Sequence, residues 1–404
     1  MTSEFDDKAT SGAGPDRRQF LKLAAGAAGV VMLPAALGEA RATPVRTSAR
    51  IVIAGAGAGG ISAASRLSQM TEGARITIID ARENHYFQPG YTLVGSGIWA
   101  QDKVISSNAA YMPGSVEWIK SAVAEFDPDG NEVVTADGQT VPYDFLIVAT
   151  GCILDYPAIE GMEQGLIGRE GIASIYASPE AAAASWQAMQ RFVETGGTGL
   201  FTRPGTEMKC AGAPLKYTFL TDDRLRRAGN RGKAELIYNA HNDETFSVPK
   251  VDQKVRDLFA ARDISWNKSQ VLRAIDPGQR VASFDTPEGT TELGYDFIHV
   301  IPPMRTPEPV RNSPLPWKEG PFAADGWIEV DQVTLQHRRY PNVFGVGDVN
   351  GVPKGKTAAS VKWQVPVAVE NMVAAAADKE MTAAYNGYTS CPLITRIGQA
   401  MLIE

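Results

Sequence analysis

Short apolar runs alternate along this chain with longer stretches of helical spacing. Arg50-Ile51-Val52-Ile53-Ala54 is a continuous apolar run that breaks at glycines, the pattern of a strand buried on both faces. Apolar positions then recur at helical spacing over 61–70, and residues 75–80 predict a second strand that closes a βαβ unit. Residues 145–148 predict another buried strand, running into a turn at Thr150-Gly151. Ser178-Pro179-Glu180 predicts a helix start, with a serine cap and proline at the first helical position, continuing to residue 194. Residues 199–202 and 235–238 predict strands of a second α/β unit, with a helix over 251–262. A strand over 297–301 is stopped by Pro302-Pro303, and one over 343–348 ends in Gly347-Asp348. A last helix is expected over 361–377, bent or interrupted at Pro366. This alternation is that of an α/β fold with parallel sheets.

The first 42 residues stand apart. Arg17-Arg18-Gln19-Phe20-Leu21-Lys22 precedes an apolar stretch over 23–37, which leads to the small-x-small site Ala40-Arg41-Ala42. That stretch of 15 residues is shorter than the roughly 20 needed to cross a bilayer. The segment resembles a twin-arginine export signal, so a periplasmic location is expected, with peripheral membrane contact at most. The remaining 362 residues exceed one ordinary core and imply two domains or one composite.

Composition narrows the partners. The chain has 39 basic and 46 acidic residues, and beyond residue 42 no basic run exceeds Arg224-Leu225-Arg226-Arg227. That speaks against a nucleic-acid partner. Three cysteines, Cys152, Cys210 and Cys391, make no disulfide framework, and the four histidines are too scattered for a metal centre. The sequence shows no internal repeat.

The loop Gly55-Ala56-Gly57-Ala58-Gly59-Gly60 carries a specific chemistry. Gly55 permits the tight turn, Gly57 lets backbone N–H groups approach a pyrophosphate, and Gly60 lets helix pack on strand. Asp80, 23 residues past Gly57, ends the second strand, where a carboxylate can accept from both ribose hydroxyls. Strand, loop, helix, strand and acid in register predict a bound dinucleotide. Thr150-Gly151 and Gly347-Asp348, each after an apolar strand, assign it as FAD. The middle segment Gly199-Leu200-Phe201-Thr202-Arg203-Pro204-Gly205 lacks a second phosphate cradle, which disfavours an NAD(P)H-dependent disulfide reductase.

Longer segments carry a family resemblance. Phe87-Gln88-Pro89-Gly90-Tyr91-Thr92, Lys209-Cys210-Ala211-Gly212-Ala213-Pro214, Lys356-Thr357-Ala358-Ala359 and Tyr388-Thr389-Ser390-Cys391-Pro392-Leu393 fall in order. Together they resemble sulfide:quinone oxidoreductases, the mitochondrial-type branch in particular. The resemblance implies non-covalent FAD, sulfide attack on a cysteine sulfur beside the flavin, and a quinone as final acceptor. It makes Cys210 the nucleophile, Lys356 a cation beside the flavin ring, and Gln88 and Val123 further FAD contacts. Val123 read alone is equally a core strand residue.

Three departures follow. The resemblance sets a second redox cysteine after the Gly347-Asp348 pair, where this chain has Val349. The expected chemistry is then that of a lone Cys210, with Cys152 as the candidate replacement partner or a buried packing residue. Only 13 residues follow Cys391, where the resemblance implies amphipathic helices around a membrane quinone site. A cytochrome c acceptor therefore stays open, as does a non-catalytic flavin-fold protein. The expected architecture is two Rossmann-like domains: a discontinuous FAD domain (48–160 and 298–375), a second domain (161–297) and a short C-terminal segment (376–404).

Overall fold

The computed structural model describes residues 43–353 and 355–404. The twin-arginine reading of residues 1–42 lies outside the described residues.

The apolar run at the glycine loop is the central strand of a five-stranded parallel sheet. Its order is Val343–Gly345, Phe145–Val148, Arg50–Ala54, Arg75–Ile79, Glu117–Ile119. Side chains alternate between its faces. Ile51, Ile53, Ile76 and Ile78 meet Leu67 of the Ala58–Met70 helix and Val365, Val369 and Met372 of the Ala358–Ala375 helix. Val52, Ala54, Leu146 and Val148 face the other way, onto Phe126, Val133, Tyr143 and Ile328. A run apolar at every position is thus explained: both faces are covered.

A second five-stranded parallel sheet has the order Ile172–Ala173, Phe297–His299, Gly197–Thr202, Ala234–Asn239, Ile264–Asn267. Phe201, Leu236 and Phe297 on one face pack with Phe192, Leu215, Tyr217 and Phe219. Leu200 and Ile298 on the other pack with Phe284 and Ile172. Each sheet has the same plan: a central strand, two successive neighbours on one side, a three-stranded antiparallel meander, then a return strand on the other side. This architectural repeat leaves no repeat in the sequence, because the packing asks only for apolar alternation.

The Pro179–Thr195 helix begins as expected, with the Ser178 hydroxyl accepting from the Ala181 N–H at 3.1 Å. The Ala358–Ala375 helix continues through Pro366 and starts three residues before its expected position, capped by Thr357. Two elements depart further from the sequence reading. Residues 213–227 form one continuous helix, Ala213–Arg227, which buries Lys216, Asp222 and Asp223 along with its apolar positions. The C-terminal segment is an antiparallel hairpin, Cys391–Arg396 with Gln399–Ile403, and it folds back on that helix. Asp223 accepts from the Ile397 N–H at 3.0 Å while paired with Arg227 at 2.8 Å. Asp222, fully buried, holds Arg226, Arg231 and Arg262, and Arg262 donates to the Thr395 carbonyl. A buried carboxylate needs such partners to remain charged.

Candidate functional site

The glycine loop is shaped for close approach. A Cβ on Gly60 would stand 1.8 Å from the Gly55 carbonyl oxygen, so helix and strand meet as closely as glycine alone allows. Gly55 has φ +107°, a conformation that favours glycine. Around Gly57 there is open space, and no side chain caps the helix that starts there. Its first N–H groups are thus left for an anion. Asp80 is buried and accepts from the Ala56 N–H at 2.7 Å and the Arg82 guanidinium at 2.8 Å. Burial opposes its charge, but the Arg82 guanidinium and the Arg82 and Ala56 backbone N–H groups together outweigh that and hold the carboxyl below its usual range.

Two more of the expected FAD positions, Thr150-Gly151 and Asp348, follow strands of the same sheet. Thr150 follows the Phe145–Val148 strand, and its buried hydroxyl has no hydrogen-bond partner among the described residues. Gly151 has φ +70° and open space around it. Asp348 sits in the turn after Val343–Gly345; burial pushes its carboxyl up, against the pull of Lys209 and Lys356. Lys356 is buried, donates to the carbonyls of Asp348 (2.9 Å) and Asn350 (2.6 Å), and stands 3.8 Å from the Trp327 ring centre. Gln88 is exposed at the start of a short 3-10 turn, and Val123 begins the first meander half-buried. An uncapped helix start, an orphaned threonine hydroxyl and a buried carboxylate fit FAD, with its pyrophosphate, hydroxyls and polar ring edge.

Cys210 is held by its backbone on both sides. Its N–H donates to the Lys356 carbonyl at 2.8 Å; its carbonyl accepts from the Ala213 N–H (2.8 Å) and the Tyr176 hydroxyl (3.0 Å). Its φ is +49°, a region a non-glycine residue enters only when its surroundings enforce it.

The structure brings to Cys210 a sulfur that the sequence reading did not consider as its partner. Val349 is fully buried in the apolar core beside Ile328 and Val343. The Cys391 sulfur lies 3.7 Å from that of Cys210, brought there by the C-terminal hairpin from 181 residues away. Gly212 makes room: a Cβ there would stand 3.0 Å from the Cys391 sulfur. The expectation of a lone nucleophile is therefore corrected to a dithiol pair. Cys152 makes no sulfur contact among the described residues. Its charged neighbours are Lys209, Asp348 and Lys356, and burial pushes its thiol up to about 11.

Lys216, unremarked in the sequence, completes the pair. Its Nζ donates to the Cys210 sulfur at 3.5 Å from inside the Ala213–Arg227 helix. Burial works against its charge, yet the two sulfurs hold its pKa above that of ordinary lysine. The hydrogen bond with Cys391, in which either sulfur can be the donor, and the Lys216 cation together favour a Cys210 thiolate over the opposing effect of burial. Cys391 is driven the other way, by its hydrogen bond to Cys210 and by burial. The signal for Cys391 lay in the Tyr388–Leu393 motif and in apolar alternation at 391 and 393; Lys216 had no signal beyond its place in an otherwise apolar helix face.

Comparison with known proteins gives the family and the fold. The family described as pyridine nucleotide-disulphide oxidoreductase matches residues 49–199. The chain is 36% identical over 357 residues to the mitochondrial sulfide:quinone oxidoreductase of Mus musculus, covering 88% of this chain and 77% of that one. The mitochondrial sulfide:quinone oxidoreductase of Dictyostelium discoideum is 35% identical over 377 residues, covering 93% and 82%. The X-ray structure of the sulfide:quinone oxidoreductase from Aquifex aeolicus shares the fold, with a TM-score of 0.68 at 24% identity over 83% of this chain and 77% of that one.

Proposed function

Because this chain belongs to the sulfide:quinone oxidoreductase family, we propose that it oxidises sulfide at the Cys210–Cys391 pair and passes the electrons through FAD to a quinone. The observation that carries this reading is the 3.7 Å sulfur contact beside the Lys216 ammonium. Closing that contact to the disulfide length of about 2.05 Å gives the form that sulfide attacks.

The Lys216 ammonium, 3.5 Å from the Cys210 sulfur, sets the direction of attack: a cation there stabilises Cys210 as the departing thiolate. Hydrosulfide bonds to the Cys391 sulfur, the S–S bond breaks, and Cys210 departs as a thiolate held by Lys216. Cys391 then carries the persulfide. A second nucleophile takes the outer sulfur and leaves Cys391 as a thiolate, so the pair now holds both electrons that sulfide brought. Bound FAD supplies the two-electron acceptor that lets the disulfide re-form.

For the cofactor, Gly55, Gly57 and Gly60 offer the helix start to the pyrophosphate. Asp80 takes the ribose hydroxyls, displacing the Arg82 guanidinium. Thr150, Gly151, Asp348 and Lys356 line the flavin side, with Gln88 and Val123 as further contacts. Export by the twin-arginine pattern at Arg17-Arg18 belongs to the same proposal, as does a cytochrome c in place of the quinone. Among the described residues no helix is long and apolar enough to cross a membrane. Exposed Trp363 and Leu402 support a peripheral contact.

Steady-state quinone reduction by purified holoenzyme tests the pair. Cys391→Ser and Cys210→Ser are each expected to lose at least a hundredfold in sulfide turnover, and Cys152→Ser less than fivefold. A Cys391→Ser enzyme with wild-type turnover would remove the dithiol from the mechanism.

A further inference from the structure

Lys356 is buried, yet it takes part in no ion pair formed among the described residues. Burial disfavours its charge, and the acidic groups that favour it, Asp348, Cys152, Glu207 and Asp325, act from beyond contact. Its ammonium is met instead by two carbonyls and one ring. Nζ donates to the Asp348 carbonyl at 2.9 Å and the Asn350 carbonyl at 2.6 Å, and lies 3.8 Å from the centre of the Trp327 ring. A cation over an aromatic face is attracted by the ring's quadrupole, most strongly over tryptophan and where water is excluded.

Trp327 is among the largest fully buried side chains. Its indole N–H has no hydrogen-bond partner among the described residues. A buried tryptophan ordinarily pairs that N–H, and a buried group left unpaired calls for a reason. Here the side chain is placed for its ring face, and the face is what Lys356 meets.

The ring and the two carbonyls are built as one unit. The Ile328 N–H, next to Trp327, donates to the Val349 carbonyl at 3.1 Å, and the Gly351 N–H donates to the Ile328 carbonyl at 3.0 Å. These bonds clip the turn that follows the Val343–Gly345 strand to the segment that carries the indole. Trp327 is fixed in turn by its own backbone, donating to the Phe322 carbonyl at 3.1 Å and accepting from the Trp317 N–H at 3.0 Å. The seat also touches the sulfur loop, because the Lys356 carbonyl accepts the Cys210 N–H at 2.8 Å.

We propose that Trp327 is a positioning residue that holds the Lys356 ammonium charged and fixed on the flavin side, and thereby sets the flavin's midpoint potential. A fixed cation there favours the negative charge that bound FAD gains on reduction. The inference rests on the place given above to Lys356 beside the flavin.

The test is the midpoint potential of the FAD-loaded protein, read by equilibration with a reference dye. Trp327→Leu should lower it by about 30 mV or more, the shift that a tenfold change gives in a two-electron equilibrium. Trp327→Phe, which keeps a ring face, should recover part of that loss. Lys356→Met should lower the potential at least as far. Adding Trp327→Leu to Lys356→Met should lower it no further, because residues that act through one another are not additive. A wild-type potential in Trp327→Leu, or shifts that simply add, would overturn the proposal. A fluorinated tryptophan at position 327 keeps the shape of the side chain and weakens its ring face, so it replaces the leucine variant where that variant does not fold; a wild-type potential there overturns the proposal equally.

Lysine 13C NMR separates the seat from the placement of Lys356. In oxidised, FAD-loaded protein the Lys356 signal, identified by its loss in Lys356→Met, should titrate about one pH unit lower in Trp327→Leu than in the wild type. Coincident titrations overturn the seat. A shifted titration beside an unmoved potential in Lys356→Met leaves the seat standing and rejects the place of Lys356 beside the flavin instead.

Discussion

Cys210 and Cys391 share a sulfur contact in which either can donate, and the Lys216 ammonium donates to the Cys210 sulfur. Lys216→Met removes a cation that favours the thiolate, so the Cys210 pKa should rise toward the ordinary value of about 8.5. Alkylation of Cys210 by iodoacetamide at pH 7 should then slow at least fivefold in the reduced protein, with the midpoint of its rate–pH profile moved upward. An unmoved midpoint would exclude Lys216 from the activation. Cys210 was legible in the sequence because its whole loop motif is local. Cys391 was not, because its contact depends on a hairpin that returns across 181 positions.

Two elements make the site possible, and each suggests a substitution. The start of the Ala58–Met70 helix depends on Gly60. Gly60→Ala would drive a methyl group to within 1.8 Å of the Gly55 carbonyl oxygen, so the loop must open. The variant should purify without bound flavin, seen as loss of visible absorbance; a full complement of FAD would contradict the assigned cradle. The Ala213–Arg227 helix clamps the hairpin through Asp223. Asp223→Ala leaves the Ile397 N–H and the Arg227 guanidinium without their shared acceptor. Urea denaturation should show a loss of about 1–3 kcal/mol, and an unchanged midpoint would show that the clamp carries no load. The first helix was readable from its glycines and apolar spacing. The second was hidden because Lys216, Asp222 and Asp223 occupy buried positions that apolar periodicity assigns to hydrophobic residues.

At the scale of the molecule, two sheets of the same plan face different tasks. The α/β alternation was visible because the central strands of the first sheet carry continuous apolar runs, residues 51–54 and Phe145–Val148. The meanders were not, since their half-exposed strands mix polar and apolar residues. Between the second sheet and its helices lies the His299 ring, fully buried, with neither ring nitrogen hydrogen-bonded among the described residues and the Tyr217 ring 4.4 Å away. Burial pushes it down to about 3, against an ordinary value of about 6.5. Between those values the unfolded chain takes up a proton that the folded protein refuses. Stability is therefore lost as pH falls below about 6.5, by about 1.4 kcal/mol per pH unit from this group. His299→Phe should flatten the dependence of unfolding free energy on pH between 6 and 4.5; an unchanged slope would assign the acid sensitivity elsewhere.

The central claim is that sulfide delivers its electrons at a dithiol pair. Anaerobic titration of FAD-loaded protein with sulfide tests it directly, with the flavin absorbance followed in the wild type and in Cys391→Ser. The geometry predicts bleaching of the wild type and none in the variant, because Cys210 alone offers sulfide no S–S bond to break. Equal bleaching in both would contradict the pair and return the chemistry to a lone Cys210.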